Sequence, residues 1–112
     1  MVFAYSQLLI KENRVQVSVL QSMLQRNSRA ITQLEWIILR EKSGVRHYYR
    51  AKEQDTCYKD IFSISLNRLN RNMRELAALV KIQKSLKQEL ARDVGRAALY
   101  KLQSEHWVGC LP

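Results

Sequence analysis

From Ile10 onward, selected positions recur at alternating steps of three and four residues for more than five heptads, the spacing with which an α-helix buries one narrow stripe against a partner helix. One set reads Ile10, Val17, Leu24, Ile31, Ile38 and Val45, all aliphatic. Its companions read Asn13, Leu20, Asn27, Leu34, Glu41 and Tyr48. Nine of these twelve are apolar, and the three polar ones all fall in the companion set, where they cost stability while helping to fix register. A long first helix follows. The only proline is Pro112, and the three glycines, Gly44, Gly95 and Gly109, are too few to supply the turns of a β-sandwich or barrel.

The second half carries a similar pattern in Phe62, Leu66, Leu69, Met73, Leu76, Val80, Gln83, Lys87, Leu90, Val94 and Ala97. Near Gln83 and Lys87 the apolar residues are instead Ile82 and Leu86, and Leu86, Leu90 and Val94 step four plus four, which reads as a stutter in the seam. Ser63 and Ser65 precede the restart at Leu66, and a serine hydroxyl can satisfy an orphan N–H of a first helical turn. The turn is therefore expected near residues 62–65. Ser43-Gly44 is the rival turn, although the seam runs through it without a phase change. Gly95 costs about 1 kcal/mol relative to alanine and marks an expected bend or frayed point. The expected fold is all-α: two long helices, over about 4–61 and 66–107, forming one antiparallel coiled-coil hairpin whose facing residue numbers sum to about 127.

Such a hairpin is a rod with a narrow apolar seam, and a seam encloses no pocket in which an enzyme would work. Its soft metal ligands, His47, Cys57, His106 and Cys110, would fall at opposite ends of the coil, so neither a four-ligand zinc site nor a disulfide is expected. His106 and Cys110, at i and i+4, form at most a two-ligand fragment. Two cysteines are too few for a disulfide scaffold and read as free thiols. No Ser/His/Asp arrangement or Gly-rich phosphate loop is present, and no catalytic residue, metal or cofactor is expected. The longest uncharged stretch, Val15 to Gln25, is about half of the roughly 20 apolar residues that span a bilayer, and Met1 to Tyr5 carries no basic start. The expectation is a cytoplasmic protein with no membrane insertion and no signal peptide.

Charge is the more informative signal. Lys and Arg number 19 against 10 Asp and Glu, a formal net charge of +9. At 100° per residue, Arg71, Arg74, Lys81, Arg92 and Arg96 share a stripe about 80° wide, opposite Leu69, Leu76, Leu90 and Val94. This basic rail reads either as a solvated face or as a docking surface for acidic protein, with nucleic-acid phosphate second. Residues 1–30 and 81–112 together carry ten basic and four acidic groups, whereas residues 31–80 carry nine and six. The open end of the expected hairpin is thus the more positive one. Aromatics gather towards the turn: Trp36, Tyr48, Tyr49, Tyr58 and Phe62. Tyr48 belongs to the seam and Tyr49 cannot share its position, which makes Tyr49-Arg50 a candidate interaction hot spot.

The segment from His47 to Asp60, HYYRAKEQDTCYKD, followed by the Leu-rich restart at Leu66, resembles the late first helix and turn of the FliJ/YscO family, the central-stalk proteins of type III secretion systems. The shared pattern is an aromatic followed by Arg (Tyr49-Arg50), an acidic or amide pair three residues on (Glu53-Gln54) and a further aromatic (Tyr58). The chain is more similar to the injectisome branch than to the flagellar one. The resemblance implies a hairpin like that of a rotary-ATPase γ subunit. Its open end would enter the pore of the hexameric secretion ATPase and stimulate ATP hydrolysis, and its turn would reach the export-gate membrane protein. Lys11, Arg14, Arg71, Arg74, Lys81, Arg92 and Arg96 then become the expected ATPase contacts, and Tyr49, Arg50 and Tyr58 the expected gate contacts.

Three other classes compete. A secretion chaperone, or a homo-oligomeric coiled-coil adaptor, could use the same seam between chains. A secretion chaperone could also be a further partner of the stalk. Nucleic-acid binding is disfavoured because there is no run of five basic residues and no recognition-helix motif. An enzyme ranks last for want of a pocket or catalytic constellation.

Overall fold

The structure, a computed structural model, describes residues 2–109, apart from the side chains of residues 2, 3, 6, 104 and 106–109. Two helices, α1 (Val2–Gln54) and α2 (Lys59–Gly109), are joined by one turn of 3-10 helix at Thr56–Tyr58. The chain is an all-α, antiparallel helical hairpin, as the heptads require. It divides into two compact units: residues 1–26 with 83–112, and residues 27–82.

The connection lies earlier than the serines suggest. Asp55 leaves the helix with extended backbone (φ −145°, ψ 119°), and its side chain accepts the Cys57 N–H at 3.0 Å. The Asp55 N–H still donates to the Ala51 carbonyl, closing α1, while the Tyr58 N–H donates to the Asp55 carbonyl, opening the next turn. Asp is as good a cap as Ser, and here it caps the shortest link that reverses the chain. The expected turn at residues 62–65 is therefore corrected to 55–58, and Ser63 and Ser65 sit inside α2. The helix bounds of about 61 and 66 move with it. Gly44 and Gly95 are both helical, with no positive φ, and a Cβ on either would meet nothing within 4 Å. Neither glycine breaks or terminates a helix.

In the unit of residues 27–82, Leu34, Ile38 and Leu69 form the buried centre, with Val45, Leu76 and Leu79 against it. Two polar rungs cross the same seam. Asn27 Nδ2 donates to the Leu79 carbonyl at 3.1 Å, and Asn72 Nδ2 donates to Glu41 Oε1 at 2.7 Å. In the other unit Leu20 and Leu86 are buried, and Asn13 Nδ2 donates to the Asp93 carbonyl at 3.0 Å. Asn13, Asn27 and Glu41 are the three polar companions of the α1 heptads, and each carries a hydrogen bond to α2. Their pairs sum to between 106 and 113, the register demanded by a turn at 55–58 and not the 127 of a turn near 63.

All twelve heptad positions of α1 are buried or half-buried. On α2 the set Phe62, Leu69, Leu76, Gln83, Leu90 and Ala97 is likewise covered, but its companions are Asn72, Leu79, Leu86, Asp93 and Tyr100. Met73, Val80 and Val94, one residue further on, are 44%, 51% and 52% exposed. The stutter is thereby corrected: alternating steps of four and three run unbroken from Leu69 to Tyr100. Polar Asn72 and Asp93 occupy seam positions while aliphatic neighbours stand outside, and this inversion is what mimics a phase drift.

Two predictions follow from this seam. Leu86→Ala should cost about 2–4 kcal/mol in urea unfolding followed by circular dichroism. Val94→Ala, at an exposed position, should stay within about 0.5 kcal/mol of the parent; equal losses would restore the drifting seam. Separately, Asn72→Leu should destabilise by about 1–3 kcal/mol because it strands the Glu41 carboxylate. The double variant Glu41→Leu/Asn72→Leu should regain or exceed parental stability, since a hydrophobic pair can replace a buried polar one without loss.

Candidate docking surfaces

Because the heptads commit every third or fourth residue to the seam, the remaining positions face outward and carry the charge. In the unit of residues 27–82, Arg71, Arg74 and Lys81 are exposed on α2. A depression of about 440 Å³ on α2 is lined by Ile64, Asn67, Arg68, Arg71 and Arg74, which adds Arg68 to the expected rail. Arg74 Nε donates back to the Asn70 carbonyl at 3.4 Å, so its stem lies along its own helix. In the other unit Lys11, Arg14, Arg92 and Arg96 are exposed. Arg92 and Arg96 line a groove of about 360 Å³ between the two helices, together with Val15, Val19, Glu89 and Asp93.

Arg96 is not a free cation. Its guanidinium lies 3.2 Å from Asp93 Oδ1, the one ion pair among the described residues. Asp93 is only 4% exposed, and this pairing from the i+3 position lets a carboxylate occupy a seam site. The other expected ATPase contacts, Lys11, Arg14, Arg71, Arg74, Lys81 and Arg92, form no ion pair among the described residues.

Near the turn, the structure builds a cluster that residue types alone did not disclose. Tyr49 and Phe62 rings lie 5.7 Å apart, and Lys52 Nζ sits 4.9 Å from the Tyr49 centroid and 4.3 Å from that of Phe62. Lys52 is seven residues after Val45, so it continues the α1 seam. Its ammonium reaches past the last aliphatic layer to cover two aromatic faces, a cation–π contact that seals the end of the coil. Heptad continuation from Val45 could have placed Lys52 in the seam, but not its pairing with Phe62 of α2. The phenol of Tyr49 is raised above its ordinary pKa by its hydrogen bond to Glu53 and then by that carboxylate's charge. Tyr49 remains 48% exposed and Tyr58 37%, and Arg50 is exposed beside them, so the three expected gate contacts stand on the surface.

Asp55 is held below the ordinary carboxylate range by the Cys57 backbone N–H. The Cys57 thiol, exposed and free, is pushed up chiefly by its hydrogen bond to Asp55, which keeps it protonated and poorly nucleophilic at neutral pH. Among the described residues no three His, Cys, Asp or Glu side chains could hold a metal ion. The His106–Cys110 fragment lies outside the described residues. Three surface depressions among the described residues are each lined by residues of a single helix. No described helix is long and apolar enough to cross a membrane. Comparison with known proteins finds no matching family, no matching curated protein and no matching solved structure.

The depressed acidity of Asp55 fixes a sign. A group whose folded pKa lies below its unfolded value contributes above the unfolded pKa and loses that contribution as pH falls through the folded one. Protection of the Cys57 amide against hydrogen exchange, corrected for intrinsic rate, should therefore fall below the ordinary carboxylate range near 4. Asp55→Ala should remove that protection at neutral pH while leaving the amides of Leu34 and Leu69 unchanged.

Proposed function

We propose that this chain is the central stalk of a type III secretion ATPase complex, of the injectisome kind. It would insert into the pore of the hexameric ATPase, stimulate ATP hydrolysis and link it to the export-gate membrane protein at the cytoplasmic face of the inner membrane. The observation that carries the reading is the outward, largely unpaired set Lys11, Arg14, Arg71, Lys81 and Arg92 on a hairpin whose seam is closed by its own hydrogen bonds. Cations with no ion-pair partner among the described residues suit an acidic ring lining. The aromatic and basic group Tyr49, Arg50 and Tyr58 at the turn suits a second protein contact, and the segment 47–60 resembles that of the stalk family.

The mechanism is geometric. One asymmetric helix pair within a six-fold ring cannot meet all six subunits alike, so it biases their nucleotide sites differently. The seam must hold its register while it does so, and the polar rungs serve that purpose. No residue of the chain takes part in the hydrolysis itself, so the protein acts as a non-catalytic activator.

The test is ATP hydrolysis by the cognate secretion ATPase, titrated with this protein from well below one chain per hexamer. Stimulation should saturate near one chain per six subunits, and the triple variant Arg71→Glu/Lys81→Glu/Arg92→Glu should lose most of it with unchanged helicity. Arg96 is left intact because a carboxylate there would face Asp93. Stimulation that survives all three reversals would overturn the assignment of the rail. A second reading, a homo-oligomeric coiled-coil adaptor, is favoured by Leu8, Val15, Val19 and Met23, which are 44–58% exposed along one stripe of α1. Sedimentation equilibrium separates the two, with a monomer expected for the stalk and a dimer or larger species for the adaptor.

A further inference from the structure

The outer face of α1 between residues 29 and 46 is used by none of the contacts above, and its composition is not that of an idle helix surface. Trp36 is 63% exposed and Leu39 59% exposed, three residues apart and therefore neighbours on one face. Arg29, Arg40 and Arg46 share that face by helical spacing, and all three are exposed. None of them takes part in an ion pair among the described residues. Of the acids in this stretch, Glu41 is in the seam, bonded to Asn72, and Glu35 is exposed at the edge of the face beside Arg46, so the three arginines outnumber the acid there. The rest of the face is small or uncharged, with Thr32, Gln33 and Ser43 around the two apolar side chains.

We infer that this face is a docking surface for an acidic, amphipathic helix of another protein, with Trp36 and Leu39 as its apolar anchor and Arg29, Arg40 and Arg46 as its charge selectors. An apolar centre within a polar rim, built from Trp and Arg, is the anatomy of a protein–protein hot spot. A membrane-surface helix would need a continuous apolar half, and this face offers two apolar residues. A phosphate-binding surface has no use for an exposed Leu beside its Trp. A second copy of this chain would bring a net charge of +9 to a face that is itself basic. Complementarity therefore selects a partner segment that places aliphatic residues one turn apart and flanks them with Asp or Glu.

The full-length protein can be used to select binders from a display library of random helical peptides, with salt as a variable. Selected peptides should carry Asp or Glu around Leu, Ile or Met, and should weaken as salt rises. They should bind Trp36→Ala and Arg29→Glu/Arg40→Glu variants at least tenfold more weakly, while both variants keep the parental circular dichroism spectrum, since the changed side chains lie outside the seam. The inference is overturned if no peptide is enriched, if the enriched peptides are neutral or basic, or if they bind the variants as tightly as the parent. It is equally overturned if duplex DNA or vesicles of phosphatidylglycerol and phosphatidylcholine bind this face more tightly than the peptides do, or if Trp36→Ala converts a self-associated species to monomer. The assay contains no ATPase, so its outcome is independent of the stalk reading.

Discussion

The hydrogen bonds that cross the seam are the constraint on which the rest of this protein depends. A two-helix coil covers each core side chain from one direction only, and among the described residues none is completely buried. Aliphatic contact alone then discriminates poorly between heptad registers, because each shift of seven residues along α1 presents another Ile, Val or Leu to α2. Asn13, Asn27 and Glu41 remove that degeneracy. Each needs a specific acceptor or donor on α2, and a slipped register would bury an unsatisfied amide or carboxylate, a cost of about 1–3 kcal/mol per group. The rungs lower the stability of the correct pairing and lower that of every incorrect pairing further.

Once register is secured from within, the outward positions carry no burden of folding. This is why 19 basic residues can be accommodated with a single ion pair among the described residues. Two of the charges that enter the seam are compensated locally: Asp93 is paired with Arg96 from the same helix, and the Lys52 ammonium spreads over Tyr49 and Phe62. The unpaired cations lie on outer faces, which is the distribution expected when charge is kept for association.

How much of this was legible in the sequence depended on whether polarity and position agreed. On α1 they agreed, and every heptad position read from Ile10 to Tyr48 lies in the seam. On α2 they disagreed at Asn72 and Asp93, where polar residues face inward beside exposed Met73 and Val94, so a pattern built on hydrophobicity slid by one residue and required a stutter. The turn was hidden for a related reason. Asp55 and Ser63 are equal candidates as caps, and only long-range pairing decides between them. The solvent-facing rail was readable because it follows from helical spacing alone. The Tyr49–Lys52–Phe62 cluster was not, because it joins residues of both helices through a register that a turn near residue 63 misplaces by several residues.

The same division has a consequence for how such a coil responds to its surroundings. Interactions between exposed charges weaken with ionic strength over a Debye length of about 8 Å at physiological salt, whereas partly buried pairs are screened far less. The bonds from Asn13 and Asn27 end on backbone carbonyls, and the Glu41–Asn72 bond pairs a carboxylate with a neutral amide, so none depends on attraction between two free ions. Salt therefore acts on what the coil binds more than on how it folds. Changes in ionic strength can therefore alter what the outer faces attract while the seam keeps its register.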